Sequence, residues 1–208
     1  LLADGWQVMA HAQGDRACRE MLDLYASVLG DEGADRDHRW RLEHCALIAE
    51  GDLARAKDLA VSPSFHVNHV LHYGPELRDE ILGPERAERL MPVGAAVELG
   101  HRVSLHADSP MYPADPLSLV RTAVTRKTRH GDVLAGHHAI DVRTALRAVT
   151  IDAAWQLGAD EDTGSIEVGK RADFTVLEQD PFEVAADDLD KIGVLATWLD
   201  GAEATARE

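Results

Sequence analysis

The order of elements along these 208 residues predicts an α/β fold: half of a (β/α)8 barrel followed by a β-rich tail. Three observations carry that expectation. Strand-like runs alternate with helix-like runs four times before Gly158. Three of those strands end on a candidate metal ligand: residues 5–10 run into His11, 39–43 into His44, and 102–107 into Asp108. Beyond Gly158 helical spacing gives way to short β-type runs and turns. In a barrel the C-terminal ends of the strands meet at one mouth, where chemistry is done. Two imidazoles and a carboxylate delivered there suit a borderline divalent cation such as zinc.

Residues 4–30 read as strand, turn and helix. Asp15 is placed to cap a helix whose apolar positions Cys18, Met21, Leu22, Tyr25, Val28 and Leu29 follow helical spacing, with Gly30 as its stop. Residues 31–38 form a charged surface loop. A strand at 39–45 and a helix at 52–59 make the second unit. The third strand is expected over 61–67, with Pro63 as an irregularity. Gly74-Pro75 and Gly83-Pro84 predict a loop over 68–85. A helix over 85–99 leads to the strand at 102–107. Alternation there puts Ser104, His106 and Asp108 on one face and Val103, Leu105 and Ala107 on the other. Pro116 suits the first turn of a helix through Leu119, Val120 and Val124. Another helix is expected over 142–157. In the tail, 164–169 reads as strand and turn, 172–177 as a buried strand, 192–199 as a further strand, and Asp200-Gly201 as a hairpin turn.

Four strand–helix units are half of an eight-unit barrel, which by itself takes about 250 residues. An open half-barrel exposes two sheet edges and the apolar interior of its strands. The expectation is therefore a C-terminal portion, with barrel units over 1–158 and β strands over 159–208. A smaller α/β fold, complete in itself, is the competing reading.

Composition excludes several classes. The formal charge of −16 argues against nucleic acid and against an anionic membrane surface. No run approaches the length of a membrane-spanning helix, and Leu1-Leu2-Ala3-Asp4 lacks the basic start and apolar stretch of a signal peptide. The chain opens without Met, almost directly on a strand, so upstream residues are expected. A cytoplasmic location is the resulting expectation. The two cysteines, Cys18 and Cys45, make no disulfide framework; both read as small core residues.

Several runs resemble the amidohydrolase superfamily, in its amidohydrolase-3 branch, the relatives of N-substituted formamide deformylase. His11-Ala12-Gln13-Gly14-Asp15-Arg16-Ala17 is similar to the strand-five signature and Arg41-Leu42-Glu43-His44-Cys45 to that of strand six. His106-Ala107-Asp108-Ser109-Pro110 resembles strand eight, residues 150–158 the helix after the barrel, and residues 164–177 the return to a small composite β-sandwich domain. The resemblance implies a metal-dependent hydrolase that cleaves an amide, formamide or cyclic C–N bond with metal-activated water. It implies His11, His44 and Asp108 as metal ligands, Asp108 also as the catalytic base, and one or two divalent ions, zinc first. The family's other ligands, a His-x-His pair on the first strand and a carboxylated lysine on the fourth, have no counterpart in these residues. The N-terminal half of the same protein is the expected partner, and the sequence is compatible with a homo-oligomer.

Each of these residues has a plainer account. Asp108 before Ser-Pro also suits a helix cap or turn, and His11 and His44 also suit hydrogen-bonded core histidines. Asp15 and Arg16 read as a cap and an exposed cation. Glu43 points away from His44 and should pair with a basic neighbour in the barrel wall. His66, Asn68, His69 and His72 fall within seven residues but bring no carboxylate for a second metal site. Contact with a small-molecule substrate by His69, and then by His72 and Tyr73, is the better reading. His106 lies one layer deeper than Asp108. His137-His138 reads as exposed loop, and Asp187-Asp188-Leu189-Asp190 as a solvated turn. Two rivals stand beside the hydrolase: a non-catalytic scaffold with an incomplete metal site, and a deaminase of the same superfamily.

Overall fold

The computed structural model describes residues 2–33 and 35–204. Four strands, β1 (Met9–Ala12), β2 (Arg41–His44), β3 (Ser62–Phe65) and β4 (Ser104–Leu105), form one parallel sheet in chain order. Among the described residues, eight α-helices join and cover them: α1 (Asp15–Gly33), α2 (Glu50–Asp58), α3 (Asn68–Glu76), α4 (Pro84–Ala87), α5 (Val93–Glu98), α6 (Pro116–Thr125), α7 (Val142–Ala148) and α8 (Ile151–Gln156). This is the half-barrel that the alternation predicts. Three tail strands, β5 (Phe174–Leu177), β6 (Val194–Leu199) and β7 (Ala202–Glu203), make a separate antiparallel sheet.

Parallel register sorts the barrel strands into two faces. Leu42, Phe65 and Leu105 are buried on the outer face, under the helices. His11, Glu43, Ser64 and Ser104 lie side by side in register on the inner face. α1 covers the outer face through Cys18, Leu22, Tyr25 and Leu29, and the Tyr25 hydroxyl donates to the Arg41 carbonyl at 3.1 Å. Val28, expected among those apolar positions, is exposed instead. Gly30 interrupts α1 with non-helical backbone, φ 58° and ψ −164°, and helix resumes beyond it. Of the charged 31–38 segment, residue 34 lies outside the described residues.

Tertiary contacts override several local signals. The predicted loop over 68–85 is helix α3 followed by a π-helical turn at Leu77–Leu82. Pro75 removes the backbone donor that would have reached the Leu71 carbonyl, and the Arg129 N–H supplies it from outside at 2.8 Å. Gly74 is needed because a Cβ there would meet Thr128 at 2.9 Å. The single helix expected over 85–99 is two helices, α4 and α5. Met91 takes φ 51° ahead of Pro92, and buried Arg126 donates to the carbonyls of Leu90 and Met91 at 2.6 and 3.2 Å. The helix expected over 142–157 breaks at Thr150, whose φ and ψ are −128° and −102°.

That last break turns α8 beneath the sheet. Gln156, only 1% exposed, donates to the Pro63 and Arg102 carbonyls at 2.9 and 3.1 Å and accepts from the Ser104 hydroxyl at 2.6 Å. Its carbonyl accepts from Arg41 at 2.7 Å. The base of the half-barrel is thereby closed by polar groups that satisfy one another. Asp115 caps α6 through the N–H groups of Leu117 and Ser118, with Pro116 in the first turn as predicted.

The tail departs from expectation in three places. Residues 164–169 form turns and no strand, with Ile166 and Val168 exposed. β5 is half-buried to exposed rather than buried. In the 187–190 turn Asp187 and Asp188 are solvated as expected, but Leu189 is fully buried against α6, where Lys127 pairs with Asp187 at 2.5 Å. The Asp200-Gly201 hairpin turn is present between β6 and β7, both residues at positive φ. His138, expected in an exposed loop, is buried in a 3-10 turn against α5, with its backbone about 3.0 Å from where a Cβ on Gly94 would sit.

Candidate metal centre

The mouth of the half-barrel is built by strand ends whose backbones leave the pleat. His44 and Cys45 take φ 75° and 52°, and Asp108 takes φ 52°. A left-handed residue at a strand end breaks strict alternation of side chains. In β2 this brings the His44 ring against that of His11, centroids 4.2 Å apart, although the register pairs His11 with Glu43. His11 lies on the edge strand and is exposed; His44 is 7% exposed. Asp108 is exposed at the rim, and its charge acts on the imidazoles of His44, His69 and His106.

A second grouping was not foreseen as such. One ligand nitrogen from each of His44, His66 and His106 lies within 4.8 Å of the others. His66 comes from the end of β3 and His106 from the end of β4. Their rings stack at 4.9 Å, and His44 meets His106 at 5.0 Å. His66 also meets His69 at 4.1 Å. The available signal was alternation along 102–107, which put His106 and Asp108 on one face; nothing in the spacing tied either to His66.

Burial lowers the pKa of the His44, His66, His69 and His106 rings. Burial, then neighbouring imidazoles, push His66 down to about 3. Burial and His44 push His69 to about 4. Burial pulls His106 to about 4 against the opposing charge of Glu43. Burial and the adjacent His11 lower His44. Glu43 pairs with Arg41 at 2.5 Å, the basic neighbour expected for it, and also lies 3.9 Å from His106 Nε2. His69 and His72 sit one turn apart on α3, and His72 stacks on Tyr112 at 4.3 Å. Cys45 is no ligand: its thiol is fully buried, points to the Leu42 carbonyl at 3.4 Å, and is pushed well up by burial and by Cys18.

Whether these residues fit a divalent cation can be read from their atoms. A metal needs deprotonated nitrogens with free lone pairs. His44 Nδ1 and His106 Nε2 are buried without a hydrogen-bond partner among the described residues. Buried polar groups are rarely left so, and a bound ion is one of the standard reasons. Neutral imidazoles with a carboxylate at the rim are a donor set for zinc or a similar ion. The residues fit the group.

The molecule can then be placed among known proteins. N-substituted formamide deformylase from Arthrobacter pascens is 33% identical over 202 residues, which are 95% of this chain and 36% of that protein. Protein LONG AFTER FAR-RED 3 from Arabidopsis thaliana is 34% identical over 203 residues, covering 96% and 34%. The chain thus spans about a third of the length of these curated relatives. The crystal structure of an uncharacterized metal-dependent hydrolase from Pyrococcus horikoshii superposes with a TM-score of 0.75 at 28% identity, covering 89% of this chain and 36% of that one. The Amidohydrolase family profile matches residues 2–204, and the chain belongs to that family.

Proposed function

We propose that the protein is a metal-dependent hydrolase of a C–N bond of the amide, formamide or cyclic class, working at the mouth described above. The observation that carries this reading is the meeting of His11 and His44, remote in sequence, at 4.2 Å beside buried, unpartnered imidazole nitrogens and with the charge of Asp108 acting on His44. His11, His44 and Asp108 would hold one or two divalent ions, zinc first. Such an ion supplies a polarised carbonyl and a water of lowered pKa. The rest belongs to the chain. Asp108, exposed at the rim, accepts the proton of the attacking water and returns it to the leaving nitrogen. His69 and His72, one turn apart on α3, line the approach and contact the small-molecule substrate. The buried ring of His66 and the half-buried ring of His106 stack to form the floor. The formamide class draws support from the deformylase relative.

The test is metal analysis of the intact protein together with Asp108→Ala. Turnover of a formamide or amide panel should fall by about 10²–10⁴-fold, the usual worth of a general base. Activity within about tenfold of wild type would remove Asp108 from that role.

A further inference from the structure

We propose that the Tyr112 hydroxyl is the donor that receives the substrate's carbonyl oxygen as it gains charge; the proposal rests on the hydrolase reading. Tyr112 stands in the loop after β4, four residues beyond Asp108, in a turn closed by the Met111 N–H on the Asp108 carbonyl at 2.9 Å. It is only 6% exposed. Its ring stacks on His72 at 4.3 Å and meets His66 and His69 at 5.2 and 5.8 Å. With Tyr73 at 6.1 Å, four aromatic partners surround the ring, and the hydroxyl is buried with no hydrogen-bond partner among the described residues.

The surrounding groups leave this role open. His66 Nε2 is taken by the Ala107 carbonyl at 3.1 Å. The Asn68 amide turns to Ser118 at 3.5 Å and leaves only its carbonyl oxygen, an acceptor, unpartnered. The basic side chains nearby are engaged: Arg129 with the His72 carbonyl and Glu76, Arg41 with Glu43 and the Gln156 carbonyl. Among the described residues, charge that develops on an oxygen here meets no free Arg or Lys of those named. A preorganised neutral O–H in a water-poor site is the kind of donor that stabilises it. Burial raises the Tyr112 pKa above its usual value, so the group keeps its proton.

The step balances without proton transfer to Tyr112. As the water oxygen bonds to the carbonyl carbon, the C=O π pair moves to oxygen, and the Tyr112 O–H···O bond shortens. When the C–N bond breaks, that pair returns and the water's proton goes to nitrogen.

Tyr112→Phe in the intact, zinc-loaded protein tests this. The turnover number on an N-alkylformamide should fall by about 10²-fold, as for loss of one oxyanion donor, with KM and zinc content little changed. Binding of dimethylphosphinate, a tetrahedral anion, should weaken at least tenfold, while that of planar N-methylacetamide moves less than threefold. An unchanged phosphinate affinity would overturn the proposal and leave Tyr112 a packing residue. If the wild type cleaves no amide, the hydrolase reading fails, but the phosphinate comparison still decides the role of Tyr112.

Discussion

The two ends of the half-barrel are built by opposite rules. At the base, α8 brings Gln156 under the strands, and each polar atom of its side chain finds a partner: Pro63, Arg102 and Ser104. At the mouth, His44 Nδ1, Asn68 Oδ1, His69 Nδ1, His106 Nε2 and the Tyr112 hydroxyl are buried without one. A buried polar group without a partner costs about 1–3 kcal/mol. Most of that cost falls at the mouth, where a cation and a substrate would satisfy those atoms; at the base the Ser62 hydroxyl also lacks a partner among the described residues. The difference separates residues that hold the fold from residues that wait for a ligand.

Substitutions at the two ends should therefore fail differently. The largest effect is expected at the mouth. His44→Ala should remove at least about 10²-fold of turnover and most bound metal, yet leave the denaturation midpoint near wild type, because a ring nitrogen without a partner is lost. A large drop in midpoint would show that His44 holds the fold and would break the comparison. At the base, Gln156→Leu should lower unfolding free energy by about 2–4 kcal/mol, since two carbonyls and a hydroxyl are left buried and unpaired. Urea denaturation reads this, and turnover per folded molecule should hardly change.

A third contrast is a pH dependence of stability. His66, His69, His106 and His138 have folded pKa values of about 3 to 4, below the ordinary 6.5. The unfolded chain therefore binds more protons below pH 6.5. Stability is full above that pH and is lost as pH falls toward 4, by up to about 1.4 kcal/mol per unit for each such ring. His138 lies away from the mouth in the turn against α5, so His138→Phe should reduce the slope of midpoint against pH while sparing activity. A metal-free protein whose midpoint is flat from pH 7 to 5 would contradict the burial of these rings.

Much of this was legible from residue order. Alternating strands and helices, Pro116 in the first turn of α6, and Asp200-Gly201 between two strands are local signals, and local chemistry satisfied them. His11 and His44 could be placed at one mouth because a barrel delivers strand ends to one side. The failures have a common cause. Gly74-Pro75 reads as a breaker only until Arg129 supplies the missing donor, 54 residues on. The helix breaks before Pro92 and at Thr150, the burial of His138, and the anchoring of Leu189 on α6 all depend on groups far along the chain.

By itself, then, residue order determined the alternation, the two faces of the strand at 102–107, and which side chains end up at the strand termini. Only the folded molecule decided that His66 and His106 join His44, that Tyr112 is buried among imidazoles, and that Gln156 seals the base. The physical reason is range. Periodicity and capping act within a few residues, whereas a site made of orphaned polar atoms exists only when segments distant in sequence exclude water together.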